Sequence, residues 1–158
     1  MKIFTIKANQ IIPISLDKAW SFFSNPGNLS KITPSWLNLK ITSDLSEKMY
    51  EGMIVTFKVY PFLGIPSNWV TEITTVKENS FFIDEQRFGP YKFWHHQHHF
   101  REINVGVEMS DIVSYALPFD PFSRLLNNIL VEKKVKEIFE FRKEVLNKLF
   151  PPRLKISV

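Results

Sequence analysis

Cysteine is absent from this chain of 158 residues, which excludes disulfides, thiolate nucleophiles and cysteine-ligated zinc or iron–sulfur sites. No apolar run approaches the roughly 18 residues that a membrane-spanning helix needs, so we expect no stable membrane insertion. The first residues lack the apolar segment and small-residue cleavage site of a signal peptide, and we predict a cytoplasmic protein. A glycine-rich phosphate loop, a Gly-x-Ser-x-Gly elbow and a His-Glu-x-x-His motif are also missing, so the common enzyme signatures are absent.

Positive charge is neither abundant nor concentrated. The formal net charge is +4, and the densest basic stretch, residues 132–137, places glutamates beside its lysines. A nucleic-acid-binding surface needs its positive charge gathered on one face. We therefore interpret this stretch as a solvated helix face and predict no nucleic-acid partner.

Apolar and aromatic residues are plentiful instead. Hydrophobic residues make up 44% of the chain and aromatic residues 15%, with fifteen phenylalanines. A chain of this length can bury about 70% of its unfolded surface in one domain. We predict a single domain over residues 1–150 and a poorly ordered tail over residues 151–158, with aromatic side chains left over to line a pocket.

Apolar periodicity and turn residues predict the order of the first elements. A strand over residues 3–12 is followed by a helix with Ser15 as its N-cap. A short second helix should run from Leu29 to Ile32, capped by Asn28. Six further strands are predicted, at roughly 37–45, 52–60, 67–77, 80–88, 91–103 and 106–117.

The last element is predicted to be long. Asp120-Pro121 supply an N-cap and a first helical residue, and apolar residues then recur near the 3.6-residue period up to Phe150. About 28 residues of helix would be roughly 40 Å long, and the apolar stripe needs a partner of similar length. Short connections between the strands imply antiparallel hairpins. We predict an α+β fold in which a curved antiparallel sheet of about seven strands surrounds the long C-terminal helix, with two short helices after the first strand.

All four histidines lie in one predicted strand, within residues 89–100. Side chains alternate between the two faces of a strand, so Trp94, His96, His98 and Phe100 should share one face. That face mixes bulky aromatic rings with imidazoles, which is typical of a cavity wall that offers a few polar contacts among apolar ones.

Several short motifs accompany this order of elements. They are Asn28-Leu29 with Thr33-Pro34, Trp69, Phe82 with Asp84, Gly89-Pro90-Tyr91, Trp94-x-His96-x-His98-x-Phe100, Asp111-x-Val113-x-Tyr115 with Leu117-Pro118-Phe119, and Phe139 with Arg142. In this combination the chain resembles the START/polyketide-cyclase (SRPBCC) superfamily, and within it a subgroup of bacterial stand-alone or epimerase-fused domains. The resemblance covers residues 1 to about 150 and implies a helix-grip fold. It also implies an apolar cavity for lipids, sterols, polyketides or other hydrophobic molecules, whereas it points to no single reaction, since some members are cyclases, aromatases or dehydratases.

The aromatic and polar motif residues are the candidates for contact with such a ligand. They are Trp69, Phe82, Asp84, Tyr91, Trp94, His96, His98, Phe100, Asp111, Tyr115, Phe139 and Arg142. Aromatic rings would provide affinity, and the tyrosine hydroxyls could fix the ligand's orientation.

No metal and no cofactor are predicted. His96 and His98 could chelate a metal together with Asp84 or Asp111, but two imidazoles with distant carboxylates make a weak metal motif. The alternative is that the imidazoles form hydrogen bonds with the carboxylates, because buried polar groups need partners.

The register of the last hairpin is open between two alternatives. A three-residue turn over 104–106 pairs Ile103 with Val107 and places His99 opposite Asp111. The resemblance instead suggests that Asp111 shares the inner face with His98. Both hold only with an additional bulge, because a slip of one residue exchanges the two faces of a strand. We favour the inner placement of Asp111.

Arg142 interrupts the apolar stripe of the long helix between Phe139 and Leu146. A charge in that position is rarely unpaired, so Arg142 should reach Asp111, Asp84 or an acidic group on a ligand. The alternative is a snorkelling side chain whose head group is in water. The apolar loop over residues 61–66 is predicted as a lid over the cavity or as a cap on the first helix.

Three functions fit these features. The first is the binding of a hydrophobic small molecule, which would be the protein's partner. The second is catalysis of a cyclase or dehydratase type, with His96, His98, Asp111 and Tyr115 as the candidate acids and bases. The third is an interaction domain whose cavity is filled by its own side chains. The oligomeric state is left open.

Overall fold

The computed structural model describes residues 1–62, 64–118 and 122–152. Seven strands form a single antiparallel sheet in the order β1-β7-β6-β5-β4-β3-β2. The strands are β1 (Phe4–Ile12), β2 (Lys40–Ile41), β3 (Ile54–Phe62), β4 (Ile65–Lys77), β5 (Phe81–Phe88), β6 (Phe93–Ile103) and β7 (Gly106–Ala116). Consecutive strands from β2 to β7 are neighbours, as short hairpin connections require, and β1 pairs with β7.

Short helices fill the connection between β1 and β2. Helix α1 (Leu16–Phe23) begins after Ser15, whose hydroxyl accepts a hydrogen bond from a backbone amide of the first turn, as an N-cap residue should. The second short helix is a 3₁₀ helix over Pro26–Ile32. It starts earlier than predicted, because Asn25 and not Asn28 is its N-cap and proline occupies its first position. A further 3₁₀ turn covers Ser35–Leu37.

The C-terminal helix has three segments, with an α-helical turn over Ser123–Leu126, a π-helical turn over Asn127–Val131 and an α-helix over Glu132–Leu149. The π turn has a physical reason. An unbroken α-helix would point Arg124 and Asn128 at the sheet, whereas one extra residue in the turn brings Ser123 and Asn127 there instead. Both are buried, and Asn127 accepts a hydrogen bond of 2.6 Å from the Tyr115 hydroxyl.

Two connections are shorter than the sequence indicates. The turn between β6 and β7 has two residues, since Ile103 pairs with Gly106. The favoured inner placement of Asp111, opposite His98, is therefore confirmed, and it needs no extra bulge. The expected loop over residues 61–66 is a tight hairpin, because Phe62 pairs with Ile65. Its tip at residue 63, the predicted helix start at residues 120–121, the motif residue at 119 and the tail from residue 153 lie outside the described residues.

The apolar interior lies between the sheet and the helices and forms three clusters. One joins helix α1 to the β6–β7 end of the sheet, a second packs the start of the C-terminal helix against β1, β6 and β7, and a third covers β3 and β4. Their buried centres include Trp20, Phe23, Phe100, Met109 and Leu146 in the first, Tyr91, Tyr115, Val131 and Val135 in the second, and Val55, Phe57 and Ile73 in the third. The space between these clusters is the site described below.

Gly106 closes the last hairpin against the end of β1, and we expect its replacement to be costly. Its φ is +138°, and a Cβ at this position would collide with the carbonyl oxygen of Ile12 and lie 2.8 Å from the Cα of Pro13. Gly106→Ala should lower the free energy of unfolding by about 2 kcal/mol or more, measured by urea denaturation. Gly52→Ala is the control, because Gly52 has φ +85° and open space around it, and should cost about 1 kcal/mol. Equal losses would contradict the close approach to β1.

Candidate functional site

A cavity of about 200 Å³ lies between the sheet, the short helices and the C-terminal helix. Its wall is mainly apolar and rich in aromatic rings. The aromatic residues in the wall are Phe22, Phe23, Trp36, Phe57, Trp69, Phe82, Tyr91, Trp94 and Phe139. Trp69, Tyr91 and Trp94 contact one another, with ring centroids 4.7–5.5 Å apart. Such a surface suits an apolar guest molecule.

Five polar residues meet on one side of this space, and we call them the polar cluster: Asp84, His96, His98, Asp111 and Arg142. Three neighbouring strands position four of them. Asp84 of β5 pairs with His96 of β6, and His98 of β6 pairs with Asp111 of β7. Directly paired residues project to the same face of a sheet, so all four side chains point inwards. Arg142 comes from the C-terminal helix, which packs over that face.

The two histidines each contact a carboxylate. The Nε2 atom of His96 lies 2.8 Å from Oδ1 of Asp111, and the Nε2 atom of His98 lies 2.7 Å from Oδ2 of Asp84. The Nδ1 atom of His98 is 3.0 Å from Oδ1 of Asp111, although the angles there do not make a hydrogen bond. The imidazole rings are 3.7 Å apart between centroids, and Phe82 stacks on His98 at 4.1 Å.

Arg142 is buried and paired, so the snorkelling alternative is wrong. Its Nη1 donates a hydrogen bond of 3.2 Å to Oδ1 of Asp111, and its guanidinium carbon lies 5.3 Å from the centre of the Phe139 ring. The side chain is 9% exposed. Asp111 therefore receives contacts from the helix and from His96 at the same oxygen, and it ties the helix to the sheet.

Burial and neighbouring charges set the protonation of the carboxyl groups. Burial raises the pKa of Asp111, but the Arg142 charge and the contacts with both histidines together outweigh it, so the pKa lies well below its ordinary value. Burial likewise raises the pKa of Asp84, and the contacts with His96 and His98 reverse the shift to a net lowering. Both groups are therefore ionised at neutral pH.

The two imidazoles differ in protonation. Burial lowers the pKa of His96, and the adjacent His98 lowers it further, against the opposing effect of the carboxylates. Burial also lowers the pKa of His98, but Asp111 and Asp84 together outweigh it and the net pKa is raised. The two shifts have opposite directions, so His98 holds a proton more strongly than His96 does. The two carboxylates of the polar cluster thus face the Arg142 guanidinium and the histidine that more readily carries a positive charge.

Nine of the twelve predicted ligand-contact residues lie in the cavity wall, and three do not. The nine are Trp69, Phe82, Asp84, Tyr91, Trp94, His96, His98, Phe139 and Arg142. Asp111 lies behind the imidazoles and contacts them from the far side. Phe100 packs in the core against Trp20, with ring centroids 5.7 Å apart.

Tyr115 also lies away from the cavity wall. Its hydroxyl is engaged with Asn127, and burial together with the negative charge of Glu132 raises its pKa to about 12. The structure therefore does not bring Tyr115 to the polar cluster, where it was a candidate acid or base.

Sequence reasoning missed several polar residues of the wall. Lys134 was interpreted as part of a solvated helix face, yet it reaches the cavity. Its Nζ lies 4.5 Å from the centre of the Trp36 ring and 2.7 Å from Glu137. Asn25, Asn28, Thr33 and Thr71 also line the cavity. The 3₁₀ conformation that turns Asn25 and Asn28 towards this space leaves no periodic signal in a sequence.

Asp84, His96 and His98 bring one possible ligand atom each within 4.8 Å of one another, so their donor set could accept a metal. The guanidinium of Arg142 opposes this, because it places a positive charge against the same cluster. That the site binds no metal and no cofactor stays a prediction.

Among the described residues, no helix is long and apolar enough to cross a membrane.

No protein-family model matches the chain, and no curated protein matches it. Several solved structures share its fold. The protein TTHA0849 from Thermus thermophilus has a TM-score of 0.70 at 16% identity, over 92% of this chain and 95% of that one. CV1439 from Chromobacterium violaceum has a TM-score of 0.71 at 12% identity, over 94% of this chain and 99% of that one. Major latex-like protein 151 from Panax ginseng has a TM-score of 0.68 at 12% identity, over 95% of this chain and 99% of that one.

These likenesses show the fold alone. The chain has the helix-grip fold, in which a curved seven-stranded antiparallel sheet holds a C-terminal helix of 27 residues. The predicted fold class is therefore confirmed.

Proposed function

We propose that this protein binds a hydrophobic small molecule in the cavity between the sheet and the C-terminal helix. The observation that carries the proposal is the combination of a largely apolar, aromatic wall with one buried polar cluster. Binding sites for small molecules combine these two features, because apolar surface provides affinity and a few polar groups fix orientation. The alternative of a cavity filled by its own side chains is less well supported, since a volume of about 200 Å³ is open.

We infer the ligand to be lipid-like, sterol-like or polyketide-like. The support is the apolar character of the cavity, together with the motif residues that resemble the bacterial stand-alone or epimerase-fused subgroup of the START/polyketide-cyclase superfamily. Of those motif residues, Trp69, Tyr91 and Phe139 face the cavity.

Filling the cavity with a side chain should abolish binding without unfolding the protein. Thr71 is buried in the wall on β4, so we expect the phenyl ring of Thr71→Phe to occupy part of the ligand volume. The affinity for the fluorescent ketone 6-propionyl-2-(dimethylamino)naphthalene should fall at least about tenfold, which corresponds to about 1.4 kcal/mol. The blue shift of its emission in an apolar site measures binding, and the melting temperature checks the fold.

Thr75→Phe is the matched control. Thr75 lies on the same strand and pairs with Ile83 on the outer face of the sheet, so the same substitution there leaves the cavity open. Unchanged affinity in Thr75→Phe, with a loss in Thr71→Phe, supports the proposal. Equal affinity in both variants places the probe elsewhere and overturns it.

Catalysis in the same cavity is a second candidate. It is favoured by two adjacent buried imidazoles in the cavity wall whose pKa values shift in opposite directions, downwards for His96 and upwards for His98, since such a pair offers a general base and a general acid. Native mass spectrometry separates the two functions. A co-purified compound whose mass is unchanged after incubation supports binding. Conversion by the wild-type protein and not by His96→Gln supports catalysis.

A further inference from the structure

We propose that the polar cluster selects a neutral ligand whose carbonyl oxygen accepts a hydrogen bond from Arg142, and disfavours a carboxylate on the same apolar body. The inference rests on the proposed function and gives the ligand a chemical class, an aromatic or alicyclic ketone. It differs from the expectation that Arg142 meets an acidic group of the ligand.

Arg142 offers hydrogen-bond donors that the protein does not use. A guanidinium carries five N–H donors, and Nη1 alone has an acceptor, Asp111, among the described residues. The Nε atom is fully buried and has no acceptor in that part of the chain, whereas Nη2, which also has no acceptor there, is not among the buried atoms, so a ligand would reach the guanidinium at its Nη side. Arg142 also belongs to the cavity wall. A buried donor without a partner is costly, so a ligand oxygen beside the guanidinium would gain a hydrogen bond that no side chain supplies.

The charges of the polar cluster decide whether a carbonyl oxygen or a carboxylate oxygen of the ligand is preferred. Asp84 and Asp111 are matched by His98, 2.7 Å and 3.0 Å away, and by Arg142, 3.2 Å from Asp111. A carboxylate ligand would add a third carboxylate to a buried site in which Asp84 and Asp111 already share Arg142 and the two histidines, which is expensive. A carbonyl oxygen accepts the same hydrogen bond and leaves the net charge of the site unchanged.

Lys134 is the other cation in the cavity wall, and it could attract a carboxylate to the opposite end. Its ammonium group is already held by Glu137 and lies over Trp36. Its side chain is also 36% exposed, so water screens its charge. We therefore expect Lys134 to compensate only weakly for the penalty that a carboxylate meets at the polar cluster.

Three ligands with one ring system test the selection in the wild-type protein: naphthalene, 2-acetylnaphthalene and 2-naphthoate. Their dissociation constants are measured at pH 7 by quenching of tryptophan fluorescence. The acetyl compound should bind about tenfold more tightly than naphthalene, because it adds a hydrogen bond to a charged donor. The naphthoate should bind at least about tenfold more weakly than the acetyl compound.

Two variants locate the effect. Arg142→Lys keeps a positive charge near Asp111 and removes the planar guanidinium with its Nη2 donor, so the advantage of the acetyl compound over naphthalene should fall several-fold. Lys143→Gln, at the exposed next residue of the same helix and outside the cavity wall, should leave that advantage unchanged. If Arg142→Lys is too unstable to assay, the comparison of the three ligands in the wild-type protein decides alone.

The outcomes separate this inference from the proposed function. Equal affinity for all three ligands leaves cavity binding intact and overturns the selection. Tightest binding of the naphthoate, or an acetyl advantage that persists in Arg142→Lys, also overturns it. If none of the three binds, the proposed function fails, and this inference fails with it.

Discussion

Arg142→Met is expected to lower the free energy of unfolding by about 3–5 kcal/mol, because the loss of one partner leaves a buried carboxylate uncompensated. The carboxylate is Asp111, which is 6% exposed in its side chain and accepts a hydrogen bond from Nη1 of Arg142. Methionine retains the apolar stem of the side chain, so lost packing contributes less than the loss of the charge. Urea denaturation followed by circular dichroism measures the change.

Lys143→Met is the control, since Lys143 is the next residue of the same helix and is exposed. Its replacement should change stability by no more than about 0.5 kcal/mol. In the double variant Arg142→Met/Asp111→Asn no buried carboxylate is left without a partner. Its free energy of unfolding should therefore fall by less than the sum of the losses in the two single variants. A loss below about 1 kcal/mol in Arg142→Met would show that the contact with Asp111 does not hold the helix to the sheet.

The sequence predicts the fold well because the information it needs is local. Alternation along β6 places His96 and His98 on the face with Trp94. In the structure that face is inward, since His96 and His98 are buried whereas His95 and His99 on the opposite face are only partly buried. The order of hairpins follows from the short connections. The long helix follows from its apolar stripe. These features depend on neighbours within one element or one turn.

The site is harder to predict because it depends on register between elements. One residue in the β6–β7 turn decides whether Asp111 meets His98 or His99, and the turn residues alone do not fix the length of that turn. The contact of Arg142 with Asp111 requires the helix and β7 to be placed in three dimensions. Tyr115 was a candidate for chemistry because its motif resembles a known pattern. In the structure the π-helical turn brings Asn127 to the Tyr115 hydroxyl. The spacing of apolar residues along the helix does not predict that turn.

Asp111→Asn should change both the stability of the protein and the way that stability depends on pH. The pKa of Asp111 is lowered in the folded state, so its contribution is present above the unfolded pKa of about 4 and is lost as the pH falls towards the folded value. At pH 7 the variant should be less stable by about 3 kcal/mol, since Arg142 and His98 lose a buried partner. The difference should shrink as the pH falls from about 5 to 2. Urea midpoints at several pH values measure it.

The contribution of His98 to stability depends on pH in the opposite direction, which provides a second test. Its pKa is raised in the folded state, so its contribution is present below the unfolded pKa of about 6.5 and is lost as the pH rises through the folded value. Without Asp111 that pKa should fall, which imidazole resonances in NMR report directly. Glu108→Gln is the control on the same strand, because Glu108 pairs with the exposed Arg101 and should change stability by less than about 1 kcal/mol. Stability curves of the wild type and Asp111→Asn that run parallel from pH 7 to pH 2 would mean that the buried carboxylate does not bind the cations around it.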